Sequence, residues 1–158
     1  MAIKQLVIFK LDDEAFGVDI LQVKEIIKPQ KIIRVPNTPP AIEGVINLRG
    51  EVYGVFNLRK KLQFPEKNID EITKMMIINV GDMDVGFMVD EVSEILRIDE
   101  EQIKEPPEFV ANVHRKYISA IADMGERSLI ILDFEYIMSE TEKEDLKMFL
   151  QEERGKEE

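Results

Sequence analysis

The chain has 158 residues and a mass of 18.3 kDa, the size of one domain. Its 21 Lys and Arg face 32 Asp and Glu, a formal charge of −11, so neither a nucleic-acid partner nor direct membrane insertion is expected. It has no cysteine, no tryptophan and one histidine, which excludes disulfide scaffolds, thiolate metal sites and cysteine nucleophiles.

At the amino terminus only four apolar residues, Leu6 to Phe9, precede Lys10 and the acidic turn Asp12-Asp13-Glu14. That is too little for an export segment. The longest charge-free stretch, Val35 to Ile42, has eight residues and three prolines, where a membrane helix needs about 20. A cytoplasmic location is expected.

In chain order, short β-rich runs dominate: Leu6–Phe9, Gly44–Ile46, Val52–Phe56, Met76–Ile78, Val85–Val89 and Leu129–Leu132. Turn-formers bound them at Asp12-Asp13, Arg49-Gly50, Gly81-Asp82 and Gly125, and the first and fourth runs open hairpins. Asn68 to Met75 is read as a short connecting helix. Ser139 with Glu142 makes a capping box, and Leu146, Phe149 and Leu150 follow at helical spacing. An amphipathic helix is therefore expected from Glu140 to about Arg154, with the tail from Gly155 frayed.

An internal repeat organises these runs. Shifted by 69, Phe16–Lys28 lies over Val85–Arg97, with identities at Gly17/Gly86, Val23/Val92, Glu25/Glu94 and Ile26/Ile95. Each copy then reaches a proline pair, Pro39-Pro40 and Pro106-Pro107. Shifted by 76, Ile42–Leu62 matches the apolar pattern of Ile118–Met138. The expected fold is mainly β, two small barrels in one unit spanning residues 1–158. Residues 15–80 form the first barrel, residues 3–14 with 81–138 the second, and 139–154 the terminal helix.

No candidate chemistry survives inspection. His114 sits in a polar stretch with no serine beside it in sequence. Asp82-Met-Asp84-Val-Gly86 imitates a calcium loop, but its glycine comes one place early and Ser93 occupies the position of the closing glutamate. The acidic runs are not apolar enough to split carboxylate pKa values for acid–base work. No cofactor, metal or catalytic residue is expected, and the chain is read as no enzyme.

One segment does carry a signal: Gly44-Val-Ile-Asn-Leu-Arg-Gly50 followed by Val55-Phe-Asn-Leu-Arg59. Read physically, a hairpin turns at Asn47–Gly50 and projects Arg49, whose planar fork suits a partner's carboxylate. The repeat places Gly125 where Arg49 stands, so the fold itself does not call for the arginine.

This segment resembles the signature of the CheW family of chemotaxis coupling proteins. Phe16–Ile20, Val23–Ile26, Val35–Pro39 and Val85–Asp90 fit the same family in order and spacing, so the resemblance covers about residues 4 to 138. It implies two five-stranded SH3-like barrels and a non-catalytic adaptor. The implied partners are the regulatory domain of the histidine kinase CheA and the cytoplasmic tip of methyl-accepting chemoreceptors. Arg49, Val23 and Glu25 match receptor-contact positions, and Val92 and Ile95 line the other wall of a groove between the barrels. Gly44, Val45, Val52 and Val55 mark the kinase-facing part of the first barrel. Within the family, kinase regulatory ends and CheV-type proteins share the module. A small-molecule-binding β-barrel is the alternative outside it.

Overall fold

The structure is a computed structural model that describes residues 2–106 and 115–157. His114 and Pro107 lie outside the described residues. Among the described residues eleven strands run β1 (Ile3–Leu11), β2 (Glu14–Asp19), β3 (Val23–Ile27), β4 (Ile42–Leu48), β5 (Glu51–Phe56), β6 (Lys74–Val80), β7 (Met83–Val89), β8 (Glu91–Asp99), β9 (Ile103–Lys104), β10 (Ile118–Asp123) and β11 (Ser128–Leu132). The α-helices among the described residues are α1 (Leu58–Lys61), α2 (Phe134–Ile137) and α3 (Glu140–Glu157).

The strands form a five-stranded sheet ordered β3-β6-β7-β5-β4 and a six-stranded one ordered β8-β1-β2-β11-β10-β9. The sixth strand, beyond the expected five, is the two-residue β9. Each sheet curls around a core of its own, to which every one of its strands contributes. Ile27, Ile46, Leu48, Val55, Met75, Ile77 and Met88 fill the first barrel. Leu6, Ile8, Ala15, Ile98, Ile103, Ala122, Leu129 and Ile131 fill the second. A larger core lies between the barrels, where Phe9 and Phe16 from one meet Phe56 and Phe87 from the other.

The division at residues 14/15 and 80/81 is corrected by the strand order. β2 pairs with β1 and β11 in the second barrel, while β7 pairs with β6 and β5 in the first. Each copy of the repeat thus lends its leading hairpin, β1-β2 or β6-β7, to the barrel built from the remaining strands of the other copy, β8 to β11 or β3 to β5. Equivalent contacts follow. Gly17 lies beside Ile131 and Gly86 beside Val55 in parallel pairing. The Asn57 N–H donates to the Ala41 carbonyl at 2.6 Å, and the Asp133 N–H donates to the Tyr117 carbonyl at 2.7 Å.

The predicted helix over Asn68–Met75 does not form. The Asp70 carboxylate accepts the Ile72 and Thr73 N–H groups, which closes a turn, and β6 begins at Lys74. The terminal helix runs further than expected, through Gly155 to Glu157. Its capping box is present: the Glu142 N–H donates to Ser139 Oγ at 3.1 Å, and the Ser139 N–H to Glu142 Oε1 at 2.8 Å. α3 docks by burying Leu146 and Leu150 in the shared core. Leu146 rests on Gly54 of β5, where any Cβ would meet its side chain. Among the described residues no helix is long and apolar enough to cross a membrane.

Candidate functional site

The hairpin between β4 and β5 turns on two residues, Arg49 at φ +51° and Gly50 at φ +86°. Left-handed backbone at both central positions matches the right-handed twist of the flanking strands. Asn47 Oδ1 accepts the Gly50 N–H at 3.1 Å and fixes the turn. Arg49 pays a conformational penalty here that Gly50 does not.

The Arg49 side chain is 66% exposed, and its Nη2 donates to both oxygens of Glu25 at 2.7 and 2.6 Å. The fork expected to await a partner's carboxylate is therefore engaged by a carboxylate of its own chain. This bond, the largest influence, together with the charge of Glu25, raises the guanidinium pKa above its ordinary value, so Arg49 stays cationic. Glu25 lies on β3 and Arg49 at the end of β4, the two opposite edges of one sheet. The ion pair joins those edges across the barrel mouth.

The second barrel has the same device. Glu94 of β8, the repeat partner of Glu25, accepts from Arg127 Nη2 at 3.1 Å, and Arg127 sits in the turn between β10 and β11. The arginine comes two residues after Gly125, the position that aligns with Arg49. Position 49 itself is not kept as arginine in the repeat, yet each barrel brings an arginine from this turn to the equivalent glutamate.

Beside the first pair, Val23 is half-buried against the shared core and Ile26 is partly exposed. In the second barrel Val92 packs against the same core, and Ile95 is 55% exposed. Lys24, one residue before Glu25, donates to Asp84 at 2.6 Å.

The residues expected to face a kinase are placed differently. Val45, Val52 and Val55 are 1%, 7% and 0% exposed, so their side chains belong to the cores and cannot touch a partner. The cause is strand alternation. Val45 and Val52 point into the shared core and Val55 into the first barrel. Gly44, at φ +148°, supports the segment before β4: a Cβ there would fall on the Ile33 carbonyl and lie 3.0 Å from Arg34 Cα. Ile33 and Val45 exchange backbone hydrogen bonds at 2.7 and 2.9 Å across this close approach.

A charged cluster not foreseen from sequence joins the two barrels. Arg59 of α1 donates to the Pro65 carbonyl (2.8 Å), to Asp90 (2.6 Å) and to Asp12 (2.8 Å). Asp90 also accepts the Asp12 N–H at 2.6 Å, and both Arg59 and Asp90 are buried. Asp12 belongs to the β1-β2 turn, and Asp90 stands where the chain crosses from β7 into β8. The one available signal was Arg59 closing the Val55–Arg59 motif.

Comparison with known proteins follows the same lines. The family model of the CheW-like domain matches residues 5–142. The chemotaxis protein CheW of Klebsiella aerogenes is 38% identical over 139 residues, covering 88% of this chain and 84% of that protein. The CheW of Bacillus subtilis is 38% identical over 130 residues, covering 82% and 83%. The crystal structure of the scaffolding protein TtCheW from Thermoanaerobacter tengcongensis superposes with a TM-score of 0.83 at 31% identity, over 90% of this chain and 97% of that one. The likeness extends to its double SH3-like fold.

Proposed function

The chain belongs to the CheW-like domain family, a non-catalytic adaptor of chemotaxis signalling, and from that membership we propose that it joins chemoreceptor and histidine kinase in one assembly. The receptor's cytoplasmic helical tip docks on the first barrel at Arg49, Glu25 and Val23, and extends toward Val92 and Ile95. An amphipathic helix suits this surface, because a cation stands near half-buried apolar side chains. The observation that carries this reading is the exposed Arg49–Glu25 pair, whose hydrogen bond is open to exchange with a partner's carboxylate.

The regulatory domain of the kinase CheA docks on the first barrel near Gly44. Receptor state then biases the kinase through contacts that differ between its active and inactive arrangements. No bond is made or broken. The alternative of a barrel that encloses a small molecule is disfavoured by the side chains that fill both barrel interiors. The test is co-purification of the full chain with a CheA regulatory domain and with a receptor cytoplasmic fragment, each offered separately. Capture of both is expected, and capture of neither overturns the reading.

A further inference from the structure

β3 and β8 carry a bulge at the same place in the repeat. Val23 of β3 pairs with Ile78 and Glu25 with Ile77, which leaves Lys24 as the extra residue. In β8, Val92 pairs with Phe9 and Glu94 with Ile8, which leaves Ser93, the equivalent of Lys24 at the 69-residue offset. A bulge re-aims the side chain it adds. Ser93 turns its hydroxyl back on its own sheet and donates to the Ile8 carbonyl at 3.3 Å. Lys24 instead reaches Asp84 of β7 at 2.6 Å, and its side chain is 56% exposed.

The carboxylate that Lys24 meets is held in place. Asp84 faces Asn79 across the β6-β7 ladder and accepts from its Nδ2 at 3.2 Å. The equivalent of Asp84 in the second barrel is Ala15, an apolar side chain against that barrel's core. The second barrel thus has the closure of Glu94 by Arg127, but at these positions neither the lysine nor its carboxylate. A fold built twice does without this pair once. Lys24 also stands close to Arg49: the fields of both cations reach Glu51 and Tyr53, whose hydroxyl donates to Glu51 at 2.9 Å. Two exposed cations therefore share one barrel mouth on a chain of charge −11, each holding a carboxylate of its own chain.

We infer that Lys24 is a specificity-determining residue for receptor docking, a second cation beside Arg49 that takes a carboxylate from the receptor's helical tip in exchange for Asp84. The inference rests on the adaptor reading and adds a requirement on the partner, whose docking face must carry acidic side chains for both cations. Residues three or four apart on a helix lie side by side, so one turn of a receptor helix can present both. Asp84 is the internal competitor, which withholds Lys24 from partners that lack such a carboxylate.

The test titrates the full chain and its variants with a receptor cytoplasmic fragment and, separately, with the CheA regulatory domain, at low and at high salt. Lys24→Gln is expected to bind the receptor fragment about three- to fivefold more weakly at low salt, the range of an exposed ion pair. The difference is expected to close at high salt, where exposed charges are screened. Lys24→Arg keeps the charge and is expected to restore most of the affinity. Asp84→Asn removes the competing carboxylate and is expected to bind the fragment more tightly than wild type. Regulatory-domain affinity is expected to stay unchanged in all three. A pair that served only the fold would move Lys24→Gln and Asp84→Asn in the same direction, and that result overturns the inference. So does wild-type receptor affinity in Lys24→Gln, or an equal loss toward both partners. If the unaltered chain does not bind the receptor fragment, the adaptor reading fails, and this inference with it.

Discussion

Arg127 reaches Glu94 from the turn between β10 and β11, at 3.1 Å, and so repeats in the second barrel the bond that Arg49 makes to Glu25 in the first. Both pairs tie an edge strand of a curled sheet to a hairpin at its far side; β4 is itself the far edge of the first sheet, whereas the two-residue β9 lies beyond β10 in the second. The two arginines occupy different positions in their turns, so the closure is conserved between the copies while the turn around it is not. Arg49 sits at the tip of a two-residue turn and is the more exposed of the pair, at 66% against 51%.

For Arg49→Ala the expected outcome is a folded protein with an unchanged melting temperature, because exposed ion pairs add little to stability. Receptor-dependent kinase activation is expected to fall in a reconstituted receptor–kinase assay. Arg127→Ala serves as the control: it opens the equivalent pair in the other barrel and is expected to leave activation intact. Equal loss in both variants would mean that barrel closure, not contact with the receptor, sets activity.

Arg59→Ala has the opposite character. It leaves Asp90 buried without its main cation, and breaking a buried pair by removing one partner costs about 3–5 kcal/mol. Chemical denaturation measures this as a lowered midpoint. Replacing both partners, Arg59→Met with Asp90→Leu, is expected to recover a large part of the loss, since no charge is then stranded.

The fold was legible in the sequence up to the point where partners had to be chosen. Alternation and turn residues mark where strands begin and end, and the 69- and 76-residue offsets mark which positions are equivalent. Neither states which copy a strand pairs with, so the exchange of hairpins β1-β2 and β6-β7 was hidden. The same limit applies to the site. Arg49 and Glu25 could each be named, but their bond depends on curling a five-stranded sheet until its outer strands meet. Arg59 was unreadable as a buried residue because its carboxylates come from residues 12 and 90, in distant turns. The valines of β4 and β5 failed in a simpler way, since alternation directs them inward to one core or another.

Acid sensitivity is expected from Glu43. Burial alone would raise its pKa, but hydrogen bonds from Lys60 and Asn57 outweigh burial and hold it below the ordinary carboxylate value. A depressed folded-state pKa means that the unfolded chain binds the proton more readily. The contribution is therefore complete above the unfolded value of about 4.3 and is lost as pH falls through the lower folded value. Asp84, with Lys24 and Asn79 as donors against its burial, acts in the same direction. Melting temperature is thus expected to drop steeply below about pH 4. In Glu43→Gln that drop should be shallower, while a slope identical to wild type would show that Glu43 contributes nothing to it.

The seating of α3 can be tested by a pair of substitutions that compensate. An added Cβ at Gly54 would stand 2.6 Å from Leu146 Cδ2, closer than side-chain carbons pack, so Gly54→Ala must displace either the leucine or the helix. Overpacking of this kind costs about 1–3 kcal/mol. Leu146 is fully buried, so Leu146→Ala alone removes core volume and costs about 2–5 kcal/mol. In the double variant the new methyl of residue 54 enters space that the leucine has vacated. The combined loss is therefore expected to be smaller than the sum of the single losses, with a coupling energy of about 1 kcal/mol or more in a double-mutant cycle. Additive losses would mean that the helix does not rest on β5 through this contact.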